Sequence, residues 1–160
     1  MQSASSFHIR AYRPADLPAL AQIYSGSIRH LGSAHYSPEQ VAAWSSFPDD
    51  IERFRRWIED VTTLVATDGQ GQPLGFGGLD AGVRISAVFV APAQQRRGIA
   101  SALLTRLLEA AKAGGATTVT SEASEFSRPL FERFGFSVHE IEYTEFKGVR
   151  FSRYAMRLHV

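Results

Sequence analysis

The stretch most able to do chemistry runs from Val88 to Leu108, where Val88-Phe89-Val90-Ala91-Pro92 reads as an apolar strand. It leads into Gln95-Arg96-Arg97-Gly98-Ile99-Ala100-Ser101, which opens a helical pattern. The first N–H groups of a helix have no partner inside it, and the aligned peptide dipoles place partial positive charge there. A phosphate accepts from such groups. Arg96 and Arg97 add two permanent charges, and Gly98 has no Cβ to hold an incoming oxygen off the backbone. These residues predict an anion cradle. It is not a nucleotide P-loop, because no Gly-Lys-Ser/Thr follows the glycine and no three-glycine dinucleotide pattern is present.

The elements that position this loop follow from apolar spacing. Behind it, Ile99, Leu103 and Leu107 recur every four residues, flanked by Ala100, Leu104, Leu108 and Ala111, so the helix has a broad buried face. Gly114-Gly115 ends it. Upstream, residues 7–12 alternate as a first strand, and Leu17, Leu20, Ile23 and Tyr24 form the stripe of a first helix. Ser37-Pro38-Glu39-Gln40 has capping-box spacing for a second, and residues 49–59 predict a third. Residues 63–67, 74–79 and 83–90 read as a strand meander whose short connections imply antiparallel neighbours. After the long helix come a strand at 117–121, a short helix at 129–134 stopped by Gly135, and a hairpin of 136–146 with 149–158 about Lys147-Gly148. A meander, a helical crossover and further strands predict an α+β fold: a mixed, mostly antiparallel sheet of about seven strands with helices on both faces, formed by residues 1–160 as one domain.

Composition narrows the function. With 44% hydrophobic and 21% charged residues, the 160-residue chain is ordinary for a globular protein. Seventeen basic against sixteen acidic residues leave +1, which gives no field for nucleic acid or an anionic membrane, and neither is expected as a partner. The absence of cysteine removes disulfides, thiolate metal sites and any cysteine-bound intermediate. Five scattered histidines lack metal-ligand spacing, so no metal is expected. The first residues lack a signal-peptide pattern and no stretch approaches the ~18 apolar residues of a membrane span, so a cytoplasmic location is expected.

Gln95-Arg96-Arg97-Gly98-Ile99-Ala100 resembles the Gln/Arg-x-x-Gly-x-Gly/Ala pyrophosphate loop of the Gcn5-related N-acetyltransferase (GNAT) superfamily. Val88-Phe89-Val90-Ala91-Pro92 is similar to the strand that precedes it there. Phe131-Glu132-Arg133-Phe134-Gly135-Phe136 and the opening Ile9-Arg10, Tyr12-Arg13 and Asp16 extend the resemblance over nearly the whole chain. It implies acetyl-CoA as co-substrate and direct transfer to a primary amine of a small molecule or peptide. The pantetheine arm would pair with the backbone of Val88, Phe89 and Val90, and the pyrophosphate would take N–H groups from Arg96 to Ser101. Ser124, seven residues before Phe131, stands where many members carry an Asn that contacts the cofactor.

Two positions depart from the family. Phe131 occupies the place of a proton-donating Tyr, and Ser86 stands in the strand where several members have an acidic base. Candidates to replace them are Tyr143 on a late strand as donor and Glu122 as base if it is buried; a surface carboxylate is the alternative for Glu122. By alternation Tyr143 shares a face with His139, while Glu140 and Glu142 share the other. His35 and Tyr36, with Trp44 on the next helix, resemble a segment of one bacterial subgroup and are candidates to line the acceptor pocket. Two readings follow: an acetyl-CoA-dependent N-acetyltransferase, or a non-catalytic acyl-CoA-binding or sensing module. Aromatic and apolar residues in the final hairpin also suit a homodimer.

Overall fold

The structure is a computed structural model and describes residues 6–160. Its elements are β1 (His8–Ala11), α1 (Leu17–Leu31), α2 (Pro38–Ser45), α3 (Ile51–Glu59), β2 (Thr62–Thr67), β3 (Pro73–Asp80), β4 (Arg84–Val90), α4 (Ile99–Ala113), β5 (Thr118–Ala123), α5 (Arg128–Arg133), β6 (Ser137–Phe146) and β7 (Val149–His159). The strands form one sheet of order β1-β2-β3-β4-β5-β7-β6. Only β4 and β5 run parallel, and α4 is the crossover between them. The expected meander, crossover and terminal hairpin are all present.

Helices cover both faces. On one, Leu20 and Ile28 of α1 with Phe54 and Ile58 of α3 bury against Val65, Phe76 and Ala87. On the other, Leu104, Leu107 and Leu108 of α4 meet Leu79, Ile85, Val119 and Met156, while Ile99 and Leu103 meet Ala66, Leu74 and Val90. Each such leucine contributes roughly 2 kcal/mol on burial. The close seating of α4 depends on glycine in β3: a Cβ at Gly77 would stand 2.8 Å from Leu107 Cδ1. At the chain's start, Arg10 holds Asp16 by two hydrogen bonds of 2.8 and 2.9 Å, and the Arg13 N–H donates to the same carboxylate at 2.8 Å. The resemblance in Arg10, Arg13 and Asp16 is thus a device that ties β1 to the turn into α1.

The predicted capping box on α2 forms: Gln40 N–H donates to Ser37 Oγ at 3.1 Å and Ser37 N–H to Gln40 Oε1 at 2.9 Å. Gln40 Nε2 also donates to the Arg150 carbonyl at 3.0 Å, which fastens α2 to β7. No helix among the described residues is long and apolar enough to cross a membrane.

Candidate active site

The sheet opens at its centre. β4 and β5 pair only at Arg84 with Thr120 and Ile85 with Ser121. Where they part, Ser121 Oγ donates to the Ile85 carbonyl at 3.0 Å. On the other side of β4 the register with β3 shifts between Gly78 and Leu79, which pair with Ala87 and Ile85, so Ser86 has no partner and bulges. Beyond the bulge, the Ala91 N–H donates to the Leu74 carbonyl at 2.9 Å. In an antiparallel ladder the bonding groups alternate, so Phe89 also bonds β3 while the N–H and C=O of Val88 and Val90 lie on the open edge. The predicted strand edge is therefore carried by Val88 and Val90. Phe89 instead contributes its ring, stacked on Phe76 at 5.5 Å and tilted against Tyr24 at 4.8 Å.

That edge runs directly into the loop. Gln95 Nε2 donates to the Val90 carbonyl at 2.9 Å, so this side chain pins the loop to the strand. Arg96 and Gly98 both have positive φ, 66° and 80°, a conformation that glycine adopts without strain. A Cβ on Gly98 would meet no heavy atom within 4 Å, so the loop is open on that side. Gly98 is the N-cap of the fifteen-residue α4, with no side chain capping it, which leaves the N–H groups of Ile99, Ala100 and Ser101 without intrahelical partners. Arg96 is exposed, and Arg97 bonds Gln94 Oε1. An uncapped helix start, an open glycine and a strand edge that runs into the loop, with only its Val90 carbonyl engaged by Gln95, fit an extended ligand that carries a phosphate group.

The parting of β4 and β5 forms an open cleft of about 270 Å³. Ser86, Val88 and Phe89 line it from β4, Glu122 and Ser124 from the β5 side, Thr144, Phe151 and Arg153 from the hairpin, and Tyr24, Tyr36, Trp44 and Trp57 from the helical side. Tyr36 is where the sequence reading placed it, and its hydroxyl accepts from the Glu125 N–H at 2.9 Å. His35 is exposed and does not line the cleft. Burial pushes the Tyr36 hydroxyl above the usual tyrosine range, against a lowering from the Glu125 N–H. Burial pushes Tyr24 up further, partly offset by its bond with Trp44. Both phenols are therefore held protonated, as donors rather than bases.

Glu122 lines the cleft but lies inside β5, opposite Ala155, rather than just past a strand end. Its Oε1 accepts from Arg84 Nε at 3.0 Å, and Arg84 also bonds Asp80 at 3.1 Å. Ser124 and Ser127 cap each other: Ser127 N–H donates to Ser124 Oγ at 3.0 Å and Ser124 N–H to Ser127 Oγ at 2.9 Å. Ser124 thus serves the turn into α5 and lines the cleft as well. Phe131 also lines the cleft, 3% exposed and edge-on to Phe136 at 5.1 Å.

The structure does not bring Tyr143 to the cleft. It is 63% exposed, beneath the Arg150 guanidinium at 4.4 Å. A register shift between Val138 and Glu140 leaves His139 unpaired, and the next residue along, Thr144, is the one that lines the cleft. Among the described residues, no group of His, Cys, Asp or Glu is placed to hold a metal ion.

Sequence reasoning missed several cleft residues: Tyr24, Trp57, Phe126, Phe151 and Arg153. Tyr24 and Trp57 read only as members of helix stripes, and Phe151 and Arg153 as hairpin residues. The short interval around Phe126 carried no periodic signal.

Comparison with known proteins follows the same outline. Residues 33–158 match the family described as an acetyltransferase (GNAT) domain. An uncharacterized N-acetyltransferase, YafP of Escherichia coli K12, is 33% identical over 153 residues, covering 96% of each chain. A Gcn5-related N-acetyltransferase from Rhodopseudomonas palustris superposes with a TM-score of 0.94 at 29% identity, over 100% of this chain and 99% of that one. The PaiA N-acetyltransferase of Thermoplasma acidophilum, solved in complex with coenzyme A, shares the fold at TM-score 0.78 and 20% identity, over 97% and 99% of the two chains.

Proposed function

This chain belongs to the GNAT family of acetyltransferases, and we propose that it transfers an acetyl group from acetyl-CoA directly to a primary amine. The observation that carries this reading is the continuity of the Val88 and Val90 edge with the uncapped start of α4. PaiA, which shares this fold, was solved with coenzyme A bound.

In this reading the Val88 and Val90 backbone pairs with the amides of the pantetheine arm like an added strand. The N–H groups from Arg96 to Ser101 hold the pyrophosphate, and Arg96 adds charge beside it. Gln95 acts on the cofactor indirectly, by fixing the loop to Val90. Ser124 stands across the cleft, within the α5 turn. Acetyl-CoA supplies an activated carbonyl carbon and a thiolate that departs readily. In this reading the Val88 N–H would take up charge that develops on the carbonyl oxygen. The amine nitrogen bonds to that carbon, the C–S bond breaks with its electrons going to sulfur, and an N–H proton passes to the thiolate or to solvent. Positioning in the cleft supplies much of the acceleration.

Calorimetric titration with acetyl-CoA tests the cofactor half. Binding is expected, with Gly98→Val weakening it tenfold or more and Glu122→Gln leaving it nearly unchanged. No heat at millimolar cofactor, or equal effects of the two substitutions, overturns the assignment. A non-catalytic acyl-CoA-binding module is favoured over catalysis by one pairing, the Arg84–Glu122 bond, which engages the only carboxylate that lines the cleft among the described residues. Binding without thiol release on any amine would select that reading.

A further inference from the structure

We propose that the acceptor is a planar aromatic amine, neutral at pH 7, whose ring lies against the aromatic wall of the cleft; this rests on the acetyl-transfer reading above. The wall is built around Trp44 and Phe126, stacked at 5.3 Å with 26° between their planes. Tyr36 meets Trp44 edge-on at 5.2 Å, and Phe151 meets it at 6.3 Å. All four rings line the cleft and are only partly buried, so ring surface faces the space where a ligand would sit. α2 presents Trp44 there because Gln40 fastens that helix to β7, so the wall is held in place before a ligand arrives. A flat ring extends such a stack, whereas a flexible chain must be ordered against it.

Charge argues the same way. The charged side chains lining the cleft are Arg84, Glu122 and Arg153. Glu122 is bonded to Arg84, and Arg153 donates to Glu142 Oε1 at 3.0 Å. Among the described residues, the one carboxylate that lines the cleft is already ion-paired, so an ammonium group finds no free partner there. An aromatic wall alone would attract a cation, but here it would have to hold one without a free carboxylate beside it. A polyamine or a lysine side chain enters such a site at a disadvantage.

Proton transfer is the third argument. An alkylamine arrives protonated and must give up a proton before it can attack, which calls for a base. The cleft offers Ser86, a Glu122 carboxylate already engaged, and two phenols held in the protonated form by burial. An arylamine has its lone pair delocalised into the ring and is neutral in water at pH 7. It attacks without prior deprotonation: the N–C bond forms, the C–S bond breaks, and the proton then leaves nitrogen for the CoA thiolate, directly or through water.

The test is thiol release from acetyl-CoA by the full chain with 1-aminonaphthalene, cyclohexylamine, spermidine and an Nα-blocked lysine. The arylamine is expected to exceed each alkylamine by about a hundredfold in kcat/KM at pH 7, a ratio of the size a missing base imposes. Its rate should be flat across neutral and mildly alkaline pH. Trp44→Ala, and separately Phe126→Ala, should raise KM for the arylamine and leave that for acetyl-CoA unchanged. Quinoline, which has no acetylatable amine, should quench tryptophan fluorescence strongly in the wild type and much less in Trp44→Ala, where only Trp57 remains in the cleft. Preference for an alkylamine overturns this inference and leaves acetyl transfer standing. Acetyl-CoA binding without turnover on any of the four overturns both this inference and the transfer reading, and no binding of acetyl-CoA overturns the cofactor site itself.

Discussion

Gly75 faces the Phe89 carbonyl across the β3–β4 ladder so closely that a Cβ on Gly75 would stand 2.8 Å from that oxygen. The same Cβ would lie 3.2 Å from Ile99 Cγ2 and 3.3 Å from Val90 Cγ2. One missing methyl therefore sets the distance between β3, the site-bearing strand β4 and the first turn of α4. A backbone oxygen cannot swing aside as a side-chain end can, so the contact is relieved only by moving the strand.

Gly75→Ala is accordingly expected to destabilise the protein by roughly 1–3 kcal/mol, the range for overpacking a tight site. It should also weaken acetyl-CoA binding through the displaced edge of β4. Gly69→Ala is the control, since nothing lies within 4 Å of a Cβ there. Urea unfolding of the two variants measures the difference, and equal midpoints would remove the close-approach argument.

The ion pair at the other end of the chain predicts a pH dependence. Asp16 is 7% exposed, and its bonds to the Arg10 guanidinium hold its carboxyl below the usual carboxylate range, helped by the Arg13 N–H and opposed by burial. A group whose folded pKa is depressed contributes stability that is present above its unfolded pKa and lost as pH falls through the folded value. Asp16→Asn should therefore cost on the order of 2 kcal/mol at neutral pH, the size of a charge-assisted hydrogen bond. The gap from wild type should stay constant down to about pH 4, the unfolded value for aspartate, and close below it. Chemical denaturation at a series of pH values reads this, and a gap that widens in acid contradicts it.

What was legible in the sequence divides along periodicity. α4 was readable because Ile99, Leu103 and Leu107 repeat at helical spacing, and its loop because glycine and arginine sit where a strand gives way to a helix. The α2 capping box was readable because Ser37 and Gln40 act across three residues. Of the aromatic wall of the cleft, Tyr36 and Trp44 were legible, whereas Phe126 and Phe151 were not, since they come from separate stretches and join the wall only where β4 and β5 splay. Tyr143 could not be placed by alternation alone, because an unpaired His139 resets the register of β6 upstream of it. The Arg84–Glu122 bond joins residues 38 apart and leaves no local pattern.

Gln95 gives a prediction that separates loop geometry from direct contact. Its Nε2 donates to the Val90 carbonyl at 2.9 Å, a bond that a carboxylate cannot make. Gln95→Glu would set two acceptors against each other and bring negative charge beside the expected pyrophosphate. Acetyl-CoA affinity should fall about tenfold or more, a loss of roughly 1.4 kcal/mol, with little change in thermal stability, since the loop is partly exposed. Calorimetry and a melting curve on one preparation suffice, and unchanged affinity would detach Gln95 from the site.

Phe131 decides how the thiolate leaves. The ring is buried in the cleft wall and held edge-on by Phe136, so Phe131→Tyr adds a hydroxyl where the resemblance implies a proton donor and leaves the rest of the ring in place. If departure of the thiolate required an acid, the new hydroxyl would raise kcat by a large part of the roughly hundredfold that a positioned acid is worth. The proton budget of an arylamine acceptor points the other way, because nitrogen becomes acidic once bonded to the carbonyl carbon and can itself supply the proton that sulfur needs. Phe131→Tyr should therefore change kcat for an arylamine less than about threefold, far below the range for a needed acid, and leave its pH profile flat. Steady-state rates over neutral and alkaline pH check this, and a large gain with a new alkaline limb would show that the phenyl ring withholds a proton the reaction needs.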